Sequence, residues 1–318
     1  MKNFKKICKM PQHVLKSWLK RLLIAKYEKV IDEDGFLYAE GDGKTPILLT
    51  AHMDTVHKEQ CKDIVTAMYH GKHILTSKQG IGGDDRCGVW IIWMILTKTK
   101  YRPSVLFCED EEIGGVGSAK FVKTKYINEL KELKYFVELD RANNDDAVYY
   151  SCANLKFQRY IKETTGFIKA YGSFSDISHL SPATDVASVN LSCGYYKAHT
   201  TEEYVIYEEM FNTFKITKNL LSKAKECEAF DYQEEDWGWD YGNTYSKYGS
   251  GVKSYYDYSA YNYAMNEDIY YEILWNNRDT GKQETYEITA KNEFEAIGYF
   301  MYDNPNACYV DIIDIQCY

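Results

Sequence analysis

Apolar residues fall in short, separated runs along the first two-thirds of the chain, and the runs end in polar residues. Ile47-Leu48-Leu49 leads to His52-x-Asp54. Ser104-Val-Leu-Phe107 leads to Cys108-Glu109-Asp110-Glu111-Glu112, and Tyr135-Phe-Val-Glu-Leu139 to Asp140-Arg141. Runs without alternation read as strands buried on both faces, the habit of parallel sheets. Residues 147–152 and 186–191 read as further strands. Between them lie segments with helical spacing: 11–27 (Val14, Leu15, Trp18, Leu19, Leu22, Leu23), 89–96, 118–124, 154–164 and 203–226. Short strands at 29–31 and 36–39 flank the turn Asp32-Glu33-Asp34-Gly35. Ile64-Val65 and Ile74-Leu75 form a peripheral pair. Strands alternating with helices predict an α/β fold of three layers around a mostly parallel central sheet.

The pattern breaks at about residue 228. From Asp231 to Asn262 the chain is rich in Tyr, Trp, Gly, Asp and Ser, with few aliphatic residues. A small βα pattern resumes at Ile269: a hairpin (270–275 and 285–289), a helix (292–302) and a strand (309–315). The expected division is a first domain over 1–227, a linker over 228–263 and a small α+β appendage over 264–318.

Composition narrows the function classes. The 318 residues are 45% hydrophobic and 15% aromatic, enough for a sizeable core. A net charge of −9 argues against nucleic acid or an anionic membrane as the main partner. No apolar run approaches membrane-spanning length, and residues 1–30 lack the apolar core and cleavage site of a secretory leader. The nine cysteines are scattered, odd in number and without a CxxC pair, which reads as reduced thiols and a cytoplasmic setting.

The chemistry gathers where strands end. In open α/β sheets, sites collect at the C-terminal edge of the strands. In chain order this edge, or the segment just beyond it, receives His52, Asp54, Asp84, Glu111, Glu112, Asp140 and His199. Imidazole nitrogen and carboxylate oxygen are the donors that hold zinc. His52, Glu112, Asp140 and His199 are candidates for terminal ligands, with Asp84 bridging two ions. Glu111 is left over as a general base toward water at the metals. Asp54, two residues beyond His52, is placed to hold its other ring nitrogen. The glycines before Asp84 do not make a phosphate loop, because no Gly-Lys-Ser/Thr follows and two carboxylates stand there.

These segments, Ala-His52-Met-Asp54-Thr-Val, Gly83-Asp84-Asp85-Arg86-x-Gly88, Glu111-Glu112-Ile-Gly-Gly-Val-Gly-Ser, Leu139-Asp140-Arg141 and the late His199, resemble the co-catalytic zinc exopeptidases, the superfamily of the M20, M28 and M42 peptidases. The resemblance implies their three-layer fold and a metallopeptidase. It implies His52, Asp84, Glu112, Asp140 and His199 as metal ligands, with Asp84 bridging, often through a cis peptide to Asp85. Asp54 would orient His52 and Glu111 would be the base. The lid that M20 enzymes carry between the segments matching Asp140 and His199 is missing, as is the domain M42 enzymes insert between those matching His52 and Asp84. The catalytic unit therefore looks minimal, as in M28 aminopeptidases. Phe174-Ser175-Asp176 resembles an M28 Ser-Asp element but lacks the His that usually follows.

The leading expectation is an aminopeptidase with two divalent ions per subunit, zinc first and cobalt or manganese next, acting on peptides with a free N-terminus. Glu109, Asp110 and Asp176 are candidates to hold the free ammonium. The alternatives are a carboxypeptidase or N-acyl amino acid deacylase, for which Arg86 and Arg141 would grip a carboxylate, and a non-catalytic binding protein on the same fold. Nothing in the sequence points to an oligomeric state.

Overall fold

The computed structural model describes residues 1–234, 269–305, 307 and 312–317. Two N-terminal helices, α1 (Lys2–Cys8) and α2 (Gln12–Ile24), lead into the hairpin of β1 (Val30–Glu33) and β2 (Phe36–Ala39). Next come β3 (Leu48–His52), the pair β4 (Val65–Tyr69) and β5 (Lys72–Thr76), and the long helix α3 (Gly83–Lys98). Then follow β6 (Ser104–Cys108), α4 (Val116–Phe121), α5 (Ile127–Leu130), β7 (Phe136–Arg141), β8 (Asp146–Val148), α6 (Leu155–Thr165) and β9 (Ile168–Ala170). The segment closes with α7 (Ile177–Thr184), β10 (Ser188–Ser192), β11 (Tyr195–Tyr196), β12 (Tyr204–Ile206) and α8 (Tyr207–Lys223).

The main sheet has eight strands in the order β1-β2-β6-β3-β7-β10-β8-β9. Its centre, β6-β3-β7-β10, is parallel throughout. Successive residues of these strands point to opposite faces, and both faces are apolar. Leu49, Ala51, Phe107, Val137 and Leu139 pack toward α3 and α8 in one core. Leu48, Leu106 and Phe136 pack toward α4 and α7 in another, with Phe121, Ile177 and Leu180. The three layers follow from that pattern. The N-terminal helices cover α3, with Phe4 edge-on to Trp90 and Trp18 stacked on Trp93.

A second sheet, β11-β12-β5-β4, stands beside the first. Three departures from the expected pattern follow, the first two in this sheet and the third in the main one. Residues 204–206 pair with β5 instead of opening a helix, so α8 starts at Tyr207. The pair expected at 64–65 and 74–75 is longer. The strand expected over 147–152 stops at Val148, where the chain turns and Tyr150 takes a left-handed backbone. Helices α1 and α7, and strand β9, lie in stretches that carry no clear period.

The last elements are β13 (Ile269–Asn277), β14 (Lys282–Ala290), α9 (Glu293–Asp303) and β15 (Ile312–Cys317), with the sheet order β14-β13-β15. This is the expected small α+β appendage. Its core is shared: Tyr271, Ile273, Ile297 and Phe300 pack with Ala67, Ile74, Tyr204 and Ile206 of the second sheet. Of the expected linker, residues 235–263 lie outside the described residues. Its beginning is tied to the main body: Phe230 is buried and Asp231 bridges Val186. Among the described residues no helix is long and apolar enough to cross a membrane, and Cys8, Cys61, Cys87, Cys108, Cys152, Cys193 and Cys227 are free thiols.

Candidate metal centre

Parallel pairing places His52 beside Cys108 and Leu49 beside Val137, so β3, β6 and β7 end at one edge. That edge receives His52, the acidic segment after Cys108, and Asp140. Asp84 enters at the start of α3, and His199 comes from the loop between β11 and β12. Gly88 lets α3 approach so closely, since a Cβ there would lie 1.8 Å from the Leu139 carbonyl oxygen.

The side chains form two sets around one carboxylate. His52 Nε2 lies 2.9 Å from Asp84 Oδ1 and 3.4 Å from Asp140 Oδ1. His199 Nε2 lies 3.1 Å from Asp84 Oδ2 and 3.0 Å from Glu112 Oε2. Each imidazole thus meets one oxygen of Asp84 and one further carboxylate. Donor atoms of His52, Asp84 and Glu112 all lie within 4.8 Å of one another, as do those of His52, Asp85 and Asp140. Asp85 is committed elsewhere. Its oxygens accept the His52 backbone N–H at 3.2 Å and the Gly88 N–H at 2.8 Å. The Asp84–Asp85 peptide is cis.

Asp54 ties the two strand ends together. Oδ1 faces His52 Nδ1 at 3.1 Å and accepts the Glu111 N–H at 3.1 Å, while Oδ2 accepts the Glu112 N–H at 3.1 Å. One carboxylate therefore orients an imidazole and fixes the backbone of two acids.

Charge in the centre is strongly unbalanced. Burial pushes Glu111 up to about 9, with Asp140, Asp176 and Asp84 adding to it and His52 opposing. Burial and Asp84 raise Asp140 to about 7. Hydrogen bonds to Asp84 and Glu112 lift His199 to about 11. Burial disfavours a charged His52, yet Asp140 and Asp54 overcome it and hold the ring protonated. Asp84 is depressed against its burial by His199 and His52. Both imidazoles are thus held cationic by surrounding carboxylates. A centre whose acids demand positive charge, built from His nitrogens and carboxylate oxygens, fits divalent cations. Glu112 Oε1, buried and without a hydrogen-bond partner, fits the same reading.

Glu203, which pattern reasoning took for the start of a helix, also reaches this centre. It is fully buried; Oε1 accepts the Asp84 N–H at 2.9 Å and Oε2 lies 3.0 Å from His57 Nε2. It holds the backbone of the shared carboxylate from behind. Its signal in the sequence is only an acid four residues after His199. Ser175, of the Ser-Asp element noted in the sequence, donates to Asp140 Oδ2 at 3.1 Å. His179, one turn into α7, lies 3.0 Å from Ser118 Oγ through Nδ1, away from the ligand set.

Two other candidates are drawn off. Glu109 turns to α2, where Lys16 Nζ lies 2.5 Å away and Gln12 donates at 3.2 Å. Arg141 pairs with Asp146 at 3.3 Å. Arg86 is buried, donates to the Met10 carbonyl at 3.2 Å, and lines a cavity of about 230 Å³ with Asp54, His57 and Cys61. Asp176 is fully buried with neither oxygen hydrogen-bonded, and burial raises its pKa.

Residues 37–187 match the family model of peptidase family M28. The structure is similar to the aminopeptidase PepT from Bacillus cereus, at 14% identity and a TM-score of 0.54, covering 71% of this chain and 98% of that one. It is similar to a tripeptidase from Staphylococcus aureus, at 12% identity and 0.56, covering 70% and 97%. It is also similar to the TET1 peptidase of Pyrococcus horikoshii, at 15% identity and 0.51, covering 70% and 98%. No curated protein matches the chain in sequence.

Proposed function

We propose that the chain, whose residues 37–187 match peptidase family M28 and whose fold is similar to that of aminopeptidases, is a metallopeptidase of the co-catalytic zinc exopeptidase superfamily, and within it a dinuclear aminopeptidase that releases residues from the free N-terminus of peptides. The observation that carries the proposal is Asp84, reached through separate oxygens by two His–carboxylate sets. His52 and Asp140 would hold one ion, Glu112 and His199 the other, and Asp84 both. Zinc suits this donor set, and cobalt and manganese accept the same atoms.

Divalent ions bound there supply Lewis acidity toward the scissile carbonyl and make water a stronger acid. The chain's own part is proton handling and positioning. Glu111 stands in a buried place that raises its basicity, and nearby cations bring it back toward neutral pH. It takes the proton from the attacking water and passes it to the leaving amine. Asp54 keeps Glu111 and Glu112 at fixed places on the backbone. Glu203 does the same for Asp84, and Ser175 donates to the Asp140 carboxylate.

A free ammonium is favoured over a carboxylate because the centre is dominated by acids and Arg141 is paired with Asp146. The peptidases of similar fold support peptides as substrates. The test compares leucine p-nitroanilide, its N-acetyl derivative and N-acetylleucine as substrates, with zinc, cobalt or manganese added to chelated protein. Metal-dependent cleavage of the free-amine anilide alone is expected. Preferential release of leucine from N-acetylleucine would replace the proposal with a deacylase, and no cleavage with any ion would remove it.

A further inference from the structure

The C-terminal unit plays no part in the reaction just described, yet its helix touches the loop that carries His199. We infer that α9 is a brace for this loop: acting through Lys197, it positions His199 and sets how tightly the His199–Glu112 set takes its ion. The inference rests on the reading of His199 as a ligand.

The loop between β11 and β12 needs outside support. Lys197 and His199 both have left-handed backbones, with φ of 56° and 67°. Non-glycine residues persist there only where the surroundings hold them. The His199 side chain is 48% exposed, so its own packing supplies little. Lys197 provides the hold. Its Nζ lies 3.1 Å from Glu202 Oε2 within the loop and 3.2 Å from Glu295 Oε1 on α9. It also stands 3.5 Å above the ring centre of Tyr299, one turn further along α9. Tyr302 Oη is 3.4 Å from Thr201 Oγ1, a second and weaker link.

The anchor is itself fixed. Glu295 is buried, and its other oxygen accepts the Lys291 N–H. The Asn292 side chain accepts the Glu295 N–H at 3.0 Å, capping the helix. Ile297 and Phe300 seat α9 in the core shared with the second sheet. At Gly298 a Cβ would stand 3.1 Å from the Tyr204 ring, so the helix lies close against β12. Residues from Lys197 to Glu203 thus carry an anchor to α9, a ligand oriented on Asp84 Oδ2, and the carboxylate that holds the Asp84 N–H. Lys197 is a positioning residue, since it touches neither ion nor substrate.

The experiment is calorimetric titration of the chelated full-length chain with zinc ions alone. The step lost in His199→Ala identifies the set concerned. Lys197→Met and Glu295→Gln should weaken that step by about 10- to 100-fold, the usual cost of losing an outer-shell support. The other step should stay unchanged, and Lys197→Arg should restore the first. Glu295→Gln keeps shape and carries the test if Lys197→Met does not fold. Equal weakening of both steps, or none, overturns the brace while leaving His199 a ligand. If His199→Ala loses no step, the ligand reading fails and the brace with it.

Discussion

Replacing Asp54 by asparagine leaves the shape of the side chain and removes one of its two accepting oxygens. Three groups depend on Asp54: His52 Nδ1 and the N–H of Glu111 on Oδ1, and the N–H of Glu112 on Oδ2. The asparagine oxygen will sit at the Oδ1 position, where it serves two partners, and turn its NH₂ against the Glu112 N–H. One bond to a charged acceptor is then lost, at about 1.5–3 kcal/mol. With a decade for each ~1.4 kcal/mol, affinity for the ion held by Glu112 should fall roughly 10- to 100-fold. Glu111 stays anchored, so saturating zinc should restore most turnover. Asp54→Ala removes the Glu111 anchor as well, and saturating zinc should not restore it. The assay is anilide hydrolysis across a zinc titration, read as a half-saturation value and a plateau for each variant. A full plateau in Asp54→Ala would refute the positioning of Glu111, and an unshifted half-saturation in Asp54→Asn would refute the anchoring of Glu112.

Glu111→Gln should lower turnover by about 100-fold or more with both ions retained, the scale of general base catalysis, whereas Glu112→Gln should lose an ion; metal analysis beside turnover separates them, and reversed results exchange the two roles. Zinc binding should release protons and weaken as pH falls, because His52 and His199, both held protonated in the chelated chain, must give up their protons to bind; titration in buffers of different ionisation heat measures the release, and none at pH 7 would contradict the ligand set. Ile297→Ala, at a fully buried site in the shared core, should cost about 2–5 kcal/mol, read as a lower denaturant midpoint; an unchanged midpoint would show that α9 packs loosely.

The residues that converge on Asp84 were legible in part: His52, Glu112 and Asp140 follow apolar strands and Asp84 lies at a helix start, whereas His199 stands in a loop. His52 and Asp140 follow runs whose two-sided burial is written in consecutive aliphatic residues. The shared core of the appendage was not legible, since Tyr204 meets Ile297 only after the second sheet has formed. Glu109 is a candidate to hold an ammonium in the sequence, and what draws it off is Lys16, far away in sequence on α2. Glu203 reads as the polar start of an amphipathic helix until β12 is seen to pair with β5. Helix α7 hides behind Pro182 and a weak pattern. What escaped in each case is a pairing between distant segments, which no local period records.

The strand order has a consequence for how the protein acquires its metals. The five proposed ligands come from β3, the start of α3, the segment after β6, β7 and the loop before β12, spread from residue 52 to residue 199. Strands β6, β3 and β7 are neighbours only in space, joined by parallel crossovers whose loop-closure entropy must be met before any contact forms. No hairpin or single crossover holds more than a part of either set. Metal capture at the proposed sites therefore waits for β3, α3 and β7 to come together for one set, and for the loop before β12 for the other. Bound metal is a report on complete folding, and loss of either ion should accompany global opening of the sheet, not the fraying of any single element.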